Sequence, residues 1–544
     1  MAVFAPRGFP YDRLQAWKPV VSRKLLTSTA VTGGMTLISR ISGLVRDVAF
    51  ANLIGAGSGI AADAFYVAFR IPNFLRRIFG EGAFSQAFVP VLSQYRTRDD
   101  GEATRAFLDY MTGWLVLALL IVTVLGVLAA PLLVTVLAPG FLSAPDKFAL
   151  TVDMLRIMFP YIFFVSLVAM SAGVLNAWGR FAAAAITPVL LNLCLIVAAL
   201  WWARHTTPAV KALAWGVFVA GVAQLLFQIP FLVRLGLLPR PRLSWRPVHE
   251  GVARVLRLMG PAIFGVSVAQ VNLLINTLLA SFLVTGSVAW LYYADRLMEF
   301  PLGIFGIALA TVILPSLSRR HAANSHEDFS HLIDWALRWV LLIGLPATVG
   351  LMVLAGPMLT TLFHYGAFHG HDVLMSTHAL MAFSLGLLGF IAVKVLAPGF
   401  YAREDTRTPM RIGVIAMVVN IVLSLVLVWP LKHVGLALAI SLAAFVNAGL
   451  LYHHLRRGNA YRPLPGWAGL AARTVTASAV MGALLFFGTG ALEHWLEMNA
   501  WQRAGHLSFW IVAGIVVYIA TIVLLGIRPA QLLLRREEGR PDNE

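Results

Sequence analysis

The sequence predicts an all-α, polytopic membrane protein of about fourteen transmembrane helices, in two pseudo-symmetric six-helix lobes followed by two C-terminal helices. Three observations predict it. Apolar segments of roughly 20 residues, each long enough for a hydrocarbon core of about 30 Å, recur along the chain. Arginine and lysine concentrate in alternate connections. A stretch near residue 66 returns near residue 292. Composition agrees: of 544 residues 59% are hydrophobic and 12% charged, with mean hydropathy +0.79. The formal net charge of +17 is what basic loops on one membrane face produce, so no nucleic-acid partner is expected. The single cysteine, Cys194, excludes an intrachain disulfide.

Residues 1–25 read as a cytoplasmic tail. A cleaved signal would need a short, clean apolar core and a small-residue cleavage site, whereas the run that follows holds two arginines. The expected spans are 28–53, 61–94, 108–136, 149–178, 183–203, 209–233, 258–284, 288–317, 333–362, 373–400, 409–430, 434–455, 469–491 and 507–527. The second and eighth are long and interrupted by Pro72 and Pro301, where they are expected to bend. The domain plan is a tail (1–25), an N-terminal lobe (26–240), a C-terminal lobe (241–458), two extra helices (459–530) and a second tail (531–544). With the tail inside, the inside connections carry Arg96, Arg98, Arg105, Arg234, Arg240, Arg242, Arg246, Arg254, Arg257, Arg319, Arg320, Arg403, Arg407, Arg411, Arg456, Arg457 and Arg462. The outside ones show few: Lys147, Arg204, Lys211, Lys432 and Arg503. Both termini are therefore expected in the cytoplasm.

The repeat is weak but in register. "YVAFRIPNFLRRIFG" (66–80) aligns with "YYADRLMEFPLGIFG" (292–306), matching Tyr66 to Tyr292, Arg70 to Arg296 and Phe79-Gly80 to Phe305-Gly306. Six helices separate the copies, so both run the same way across the membrane, which implies an axis along the membrane normal. "LAPGF" occurs at 137 and again at 396, on opposite expected sides, and is set aside as coincidence.

On a helix at about 100° per residue, Thr32, Thr36, Ser39, Arg40, Ser42, Gly43, Arg46 and Asp47 share one side of the first span. Leu37, Ile38, Ile41, Leu44, Val45 and Val48 take the other. A lipid-facing arginine costs at least about 2.5–3.5 kcal/mol at mid-bilayer, so the polar side calls for a hydrated cavity. The bland alternative is a structural ion pair with Asp47. The second span adds Asp63, Arg70, Arg76, Arg77 and Glu81, and the eighth adds Asp295, Arg296 and Glu299. Asp63, Arg70, Arg77 and Glu81 share a stripe on an ideal helix, but Pro72 disturbs the phase and leaves Arg76 or Arg77 open. Six arginines against five carboxylates suit a phosphate or pyrophosphate head group, which guanidinium forks bind bidentately. They do not suit a cationic substrate.

Lys394 reads as a snorkelling residue with a cavity role as the alternative. His364, His369, His371 and His378 read as an outside loop rather than a metal site. No cofactor is expected. The absence of a Walker A motif excludes ATP hydrolysis by this sequence and leaves ion gradients or membrane potential as energy source.

"SRISGLVRD", "ADAFYVAFRIPNFLRRIFGEGAFSQAFVP", "LYYADRLMEFPLGIFGIALATVILPSLS" and "VKVLAPGFYAREDTRTP" together resemble the MurJ (MviN) lipid II flippases, of the multidrug/oligosaccharidyl-lipid/polysaccharide exporter superfamily. The resemblance runs from about residue 25 to near the end. It implies a bacterial inner-membrane transporter, not an enzyme, serving peptidoglycan synthesis and thereby cell-wall biogenesis and cell shape. Its substrate would be lipid II, the undecaprenyl-pyrophosphate-linked disaccharide peptide, moved from the cytoplasmic to the periplasmic leaflet by alternating access. Arg40, Arg46, Asp63, Arg76, Arg296 and Glu299 match the family's functional charges, and here the family decides for Arg76. Asp47, Arg70, Arg77, Glu81, Asp295 and Lys394 are secondary candidates. The last two helices are implied to hold the lipid tail. Some members are thought to use a sodium site with acidic ligands. This sequence offers only Gln270, Asn272, Asn420 and Ser424 there, so sodium coupling is not expected. The alternatives are a flippase for another polyprenyl-linked glycan of O-antigen or exopolysaccharide type, and a membrane-embedded enzyme on lipid-linked sugars. The enzyme would need an acid/base or metal constellation that is not evident.

Overall fold

The computed structural model describes residues 23–57, 59–77, 83–97, 101–243, 249–323 and 325–527. Most of the expected N-terminal tail, the C-terminal tail and Glu81 lie outside the described residues. All regular structure among the described residues is helical.

Among the described residues nine stretches are long and apolar enough to cross a membrane by length and composition. They comprise α4 (Gly101–Leu128), α6–α7 (Pro145–Met158, Tyr161–Ala177), α8–α9 (Phe181–Ala185, Thr187–Leu200), α10 (Lys211–Arg234), α14 (His326–Val353), α16–α17 (Gly370–Leu385, Leu387–Tyr401), α18 (Arg407–Arg457), α19 (Trp467–Thr489) and α21 (Ala500–Leu524). In α18 the backbone leaves helical geometry at Lys432 (φ 50°, ψ −129°), two residues after Pro430, so α18 is two spans meeting at a tight reversal. Four further stretches complete the fourteen: α1 (Arg23–Ile54), α2 with α3 (Ile60–Leu75, Ala83–Thr97), α11 (Glu250–Ser281), and α12 with α13 (Ser287–Pro301, Ile307–Ala322). Short helices α5 (Ala130–Leu137), α15 (Ala355–Phe363) and α20 (Leu492–Glu497) finish spans or connections.

The spans that hold Pro72 and Pro301 break in the same manner. A proline inside a helix removes one donor and crowds the carbonyl four residues back. The winding relaxes to the wider π form at residues 76–77 and at Leu302–Gly306. Residues 76 and 302 correspond at the constant offset that pairs Tyr66 with Tyr292. At that offset α1, α2 and α3 also superpose on α11, α12 and α13 to within two residues at each end.

Within the first half α1 packs on α9, α9 on α10, α10 on α7, and α2 on α6. Within the second, α17 and α16 pack on α18, α14 on α17, and α12 on α16. Helix α11 packs on both α3 and α18, and α19 lies against α14 and α21. Tyr66 and Tyr292 stack on each other with ring centroids 4.0 Å apart, and since they are repeat equivalents the local axis passes between them. Around that axis each half reaches into the other. Arg70 of α2 donates to Thr277 Oγ1 and, at 3.5 Å, to the Leu273 carbonyl of α11. Arg296 of α12 donates to Asp47 Oδ2 of α1 at 2.8 Å. Leu273 and Asp47 are themselves equivalents.

The end bearing the expected outside connections is closed by polar contacts between the halves. Asp63 accepts from Gly286 N (2.8 Å) and Ala289 N (3.1 Å) at the start of α12 and from Lys147 Nζ (2.7 Å). Asp372 accepts from Gly57 N (2.7 Å), Trp290 Nε1 (2.8 Å) and His369 N (3.1 Å). Gly140 donates to Ser281 Oγ at 3.1 Å and lies so close to the Ser281 carbonyl that it has no room for a Cβ. Gly140→Ala should therefore lower Tm of the purified protein by several degrees, since overpacking costs about 1–3 kcal/mol. Gly413→Ala, on an open helix surface, should leave Tm unchanged or raise it. Equal behaviour of the two in thermal denaturation would contradict the close approach.

Candidate functional site

Helix α1 has two unlike sides. Leu37, Ile38, Ile41 and Val45 are about half exposed, an apolar stripe suited to lipid. Opposite them Ser39, Arg40, Gly43, Arg46 and Asp47 line a cavity of about 790 Å³ between the halves. Leu44, placed on the apolar side by periodicity, also reaches the cavity.

Asp47 is the hub. Its carboxylate is buried, and Oδ1 accepts from Arg46 Nε (3.0 Å), Arg46 Nη2 (2.7 Å) and the Tyr292 hydroxyl (2.9 Å). Arg296 takes Oδ2 and also meets Glu299 at 3.2 Å. Arg46 further donates to Asn192 Oδ1 (3.0 Å) and Tyr292 Oη (3.1 Å). Asn192 is aimed by its amide, which donates to the Ser39 carbonyl and Ser42 hydroxyl of α1. Arg40 lies directly against Gly303 in the π turn, where any side chain would collide with the guanidinium. No carboxylate among the described residues lies within 4 Å of Arg40 or Arg77. Arg76 holds Asn73 Oδ1 through two nitrogens, at 3.1 and 2.9 Å.

Among the described residues the lining thus gathers Arg40, Arg46, Arg76, Arg77 and Arg296 with the carboxylates Asp47 and Glu299. The remaining candidates sit elsewhere. Asp63 is a buried interlobe contact at the closed end. Arg70 is turned to α11. Asp295 does not line the cavity, and its electrostatic neighbours are Glu299, Arg70, Arg296 and Arg77. Lys394 is exposed and outside the lining. The cavity wall continues into apolar Met358, Leu362, Leu507 and Ile511 from α15 and α21.

Residues 50–502 match the family model described as "Lipid II flippase MurJ". The chain belongs to the MurJ lipid II flippase family. A Vibrio cholerae relative named "Probable lipid II flippase MurJ" is 47% identical over 515 residues, covering 93% of this chain and 97% of its own. Among solved structures, one titled "Lipid II flippase MurJ, inward closed conformation" superposes with a TM-score of 0.75 at 25% identity, over 91% of this chain and 98% of that one. An inward-facing multidrug resistance MATE family transporter of the MOP superfamily shares the fold, with a TM-score of 0.59 at 16% identity over 77% of this chain and 98% of its own. A multi-pass bacterial membrane transporter of peptidoglycan synthesis, with lipid II as its transported substrate, is thereby identified; it is not an enzyme.

For a MurJ flippase the neutral cluster between α11 and α18 is informative. Asn420 Nδ2 donates to Asn272 Oδ1 (2.6 Å) and Asn276 Oδ1 (3.3 Å), and Ser424 Oγ donates to Asn276 Oδ1 (3.2 Å). The cluster has amide and hydroxyl oxygens but no carboxylate, so its donor set does not fit a sodium site built on acidic ligands. The histidines by residue 369 form no metal-holding group among the described residues; His369 caps α16 together with Asp372.

Sequence reasoning missed Tyr292, Asn192, Gln224 and Gln228. Gln224 and Gln228, one turn apart on α10, donate to the carbonyl and hydroxyl of Thr187 and line the cavity. Their signal was present as isolated amides at i, i+4 in otherwise apolar spans. Single cysteines at 40, 46 and 296, in a Cys194→Ala background, should react with a polar thiol reagent in the folded, active protein. A cysteine at 63 should stay protected while the end held by Asp63 and Asp372 is closed. Protection of the first three would remove the cavity.

Proposed function

We propose that the arginines around Asp47 bind the pyrophosphate of lipid II, and that the two halves, as six-helix lobes, then rock about this site to carry the head group from the cytoplasmic to the periplasmic leaflet of the inner membrane. The observation that carries the proposal is the convergence between the halves, among the described residues, of Arg40, Arg46, Arg77 and Arg296, with Arg76 beside them, around Asp47 and Glu299. A pyrophosphate diester brings two negative charges, and guanidinium forks match phosphate oxygens bidentately. The sugar and peptide occupy the remaining polar space by Asn192, Gln224 and Gln228. The polyprenyl tail leaves along Met358, Leu362, Leu507 and Ile511 and stays in lipid beside the last two spans. Closure at Asp63 and Asp372 supports a cavity kept shut on the periplasmic side before transport. The basic connections support cytoplasmic termini at both ends of the chain.

In this mechanism Asp47 is a positioning residue. It holds Arg46 and Arg296 at one place without taking all of their ten N–H donors, so the free edges of the forks stay available to phosphate. Glu299 keeps Arg296 from turning away. Asp63 acts by being released, since opening the outer end must free Gly286 N and Ala289 N.

Arg→Ala at 40, 46 or 296 should abolish support of growth with the protein still in the membrane. Loss of a charge-assisted bond, about 1.5–3 kcal/mol, predicts transport slower by about 10- to 100-fold. Arg→Lys should restore little, because lysine is a point charge without the fork. Full function with lysine at all three positions would show that charge alone suffices.

Energy is expected from the membrane potential rather than sodium. One charge crossing the membrane is worth about 2.3 kcal/mol per 100 mV, enough to bias the cycle. Transport should continue when sodium is replaced by potassium at constant potential, and should slow when the potential is collapsed. Arrest on sodium removal alone would instead assign the ion to the Asn272–Asn276–Asn420–Ser424 cluster.

A further inference from the structure

At the end opposite the closed one, three connections converge on a second cavity of about 670 Å³, apart from the central one. Its walls are the turn from α13 to α14, the corner after α17, and the chain between α18 and α19. Arg320, His321, His331, Arg403 and Arg462 line it, with one carboxylate among the described residues, Glu327, which is exposed beside His331 at 3.8 Å. Arg320 is held by the Asp328 carbonyl at 2.7 Å, its carboxylate lying at 4.0 Å. No carboxylate among the described residues lies within 4 Å of Arg403 or Arg462.

Basic connections at this end are ordinary for membrane topology and call for no ligand by themselves. This group differs in being concave and in having a built wall. The buried carboxylate of Asp334 accepts from the Tyr461 hydroxyl (2.8 Å), Leu464 N (3.1 Å), Trp467 Nε1 (2.8 Å) and Arg338 Nε (2.7 Å). Ser330 Oγ accepts from Arg462 N (2.8 Å) and donates to the Arg462 carbonyl (3.2 Å). The segment carrying Arg462 is thus pinned from below. Of the non-glycine residues with positive φ, two frame this cavity: Asn459 (51°) in its wall and Glu404 (61°) next to Arg403. Such backbone is strained for a residue like glutamate and gathers at functional sites.

We propose that this cavity binds a phosphate group that has no compensating cation beside it, carried either by an anionic inner-leaflet lipid or by a soluble phosphorylated compound. Two guanidinium forks with no carboxylate within 4 Å among the described residues, Arg403 having Asp405 as its more distant electrostatic neighbour, stand on walls held by Asp334 and Ser330 and suit phosphate oxygens. The volume lies within the range of about 300–1,000 Å³ usual for ligand sites. The proposal does not depend on how lipid II is moved.

The test is hydrogen exchange across residues 458–464 of the full-length protein in detergent. Phosphatidylglycerol, phosphatidylcholine and inorganic pyrophosphate serve as separate probes. Exchange should slow at least about twofold with phosphatidylglycerol, with pyrophosphate, or with both, but not with phosphatidylcholine. Protection by phosphatidylglycerol alone identifies a lipid head group; protection by pyrophosphate identifies a soluble source. The effect should vanish in Arg403→Gln/Arg462→Gln, both exposed positions, and persist in Arg319→Gln/Arg411→Gln, exposed arginines of the same end outside the cavity. No protection with either anion, protection retained in the first pair, or equal loss in the second pair overturns the proposal.

Discussion

One carboxylate sets the geometry on which the proposed transport site depends. Arg46 comes from the first span and Arg296 from the eighth, and both point at the same few ångströms of low-dielectric space. Two guanidinia at about 4 Å repel by about 4 kcal/mol at an effective dielectric of 20. Asp47 converts that repulsion into two ion pairs, one on each oxygen. Because its partners belong to different halves, the same group joins the halves and orients the site. Tyr292 completes the shell by both donating to Asp47 and accepting from Arg46, which leaves few ways for the cluster to rearrange.

Much of the fold was legible. Length and hydropathy locate the spans, and the repeat makes Pro72 and Pro301 stand out as equivalent breaks, although prolines inside continuous helices such as α11 and α14 show that proline alone does not mark a break. The polar side of α1 was readable because Ser39, Arg40, Gly43, Arg46 and Asp47 recur at helical spacing. Where each charge ends up was less readable. A helical wheel groups Asp63 with Arg70, but only the approach of α12 and α11 decides that one caps a neighbouring helix and the other crosses to Thr277. Asn192 and the two glutamines were obscured for the opposite reason, since one amide in an apolar span barely changes its periodicity. The basic cavity at the other end is assembled from residues 320, 403 and 462, too far apart in sequence for any local pattern to join them.

The π turns explain a further gap between sequence and site. An ideal helix carried through Pro301 would keep residues 302–306 in the phase of α12. The wider winding shifts that phase and brings Gly303 against Arg40. A π turn at 76–77 does the corresponding thing beside Arg76 and Arg77. Site residues at these breaks therefore cannot be assigned to a face by counting.

The crossed reach of Arg70 and Arg296 has a historical meaning. Equivalent arginines touch equivalent positions, Leu273 and Asp47, across an axis marked by the stacked pair Tyr66 and Tyr292. A half-length protein with one such arginine would have made this contact twice, reciprocally, as a parallel homodimer. Fusion of two copies into a single gene frees each position to diverge. One copy keeps a carboxylate and an ion pair, and the other settles for a peptide carbonyl and a threonine hydroxyl. A symmetric dimer must build two binding sites or none, whereas a duplicated chain can keep one.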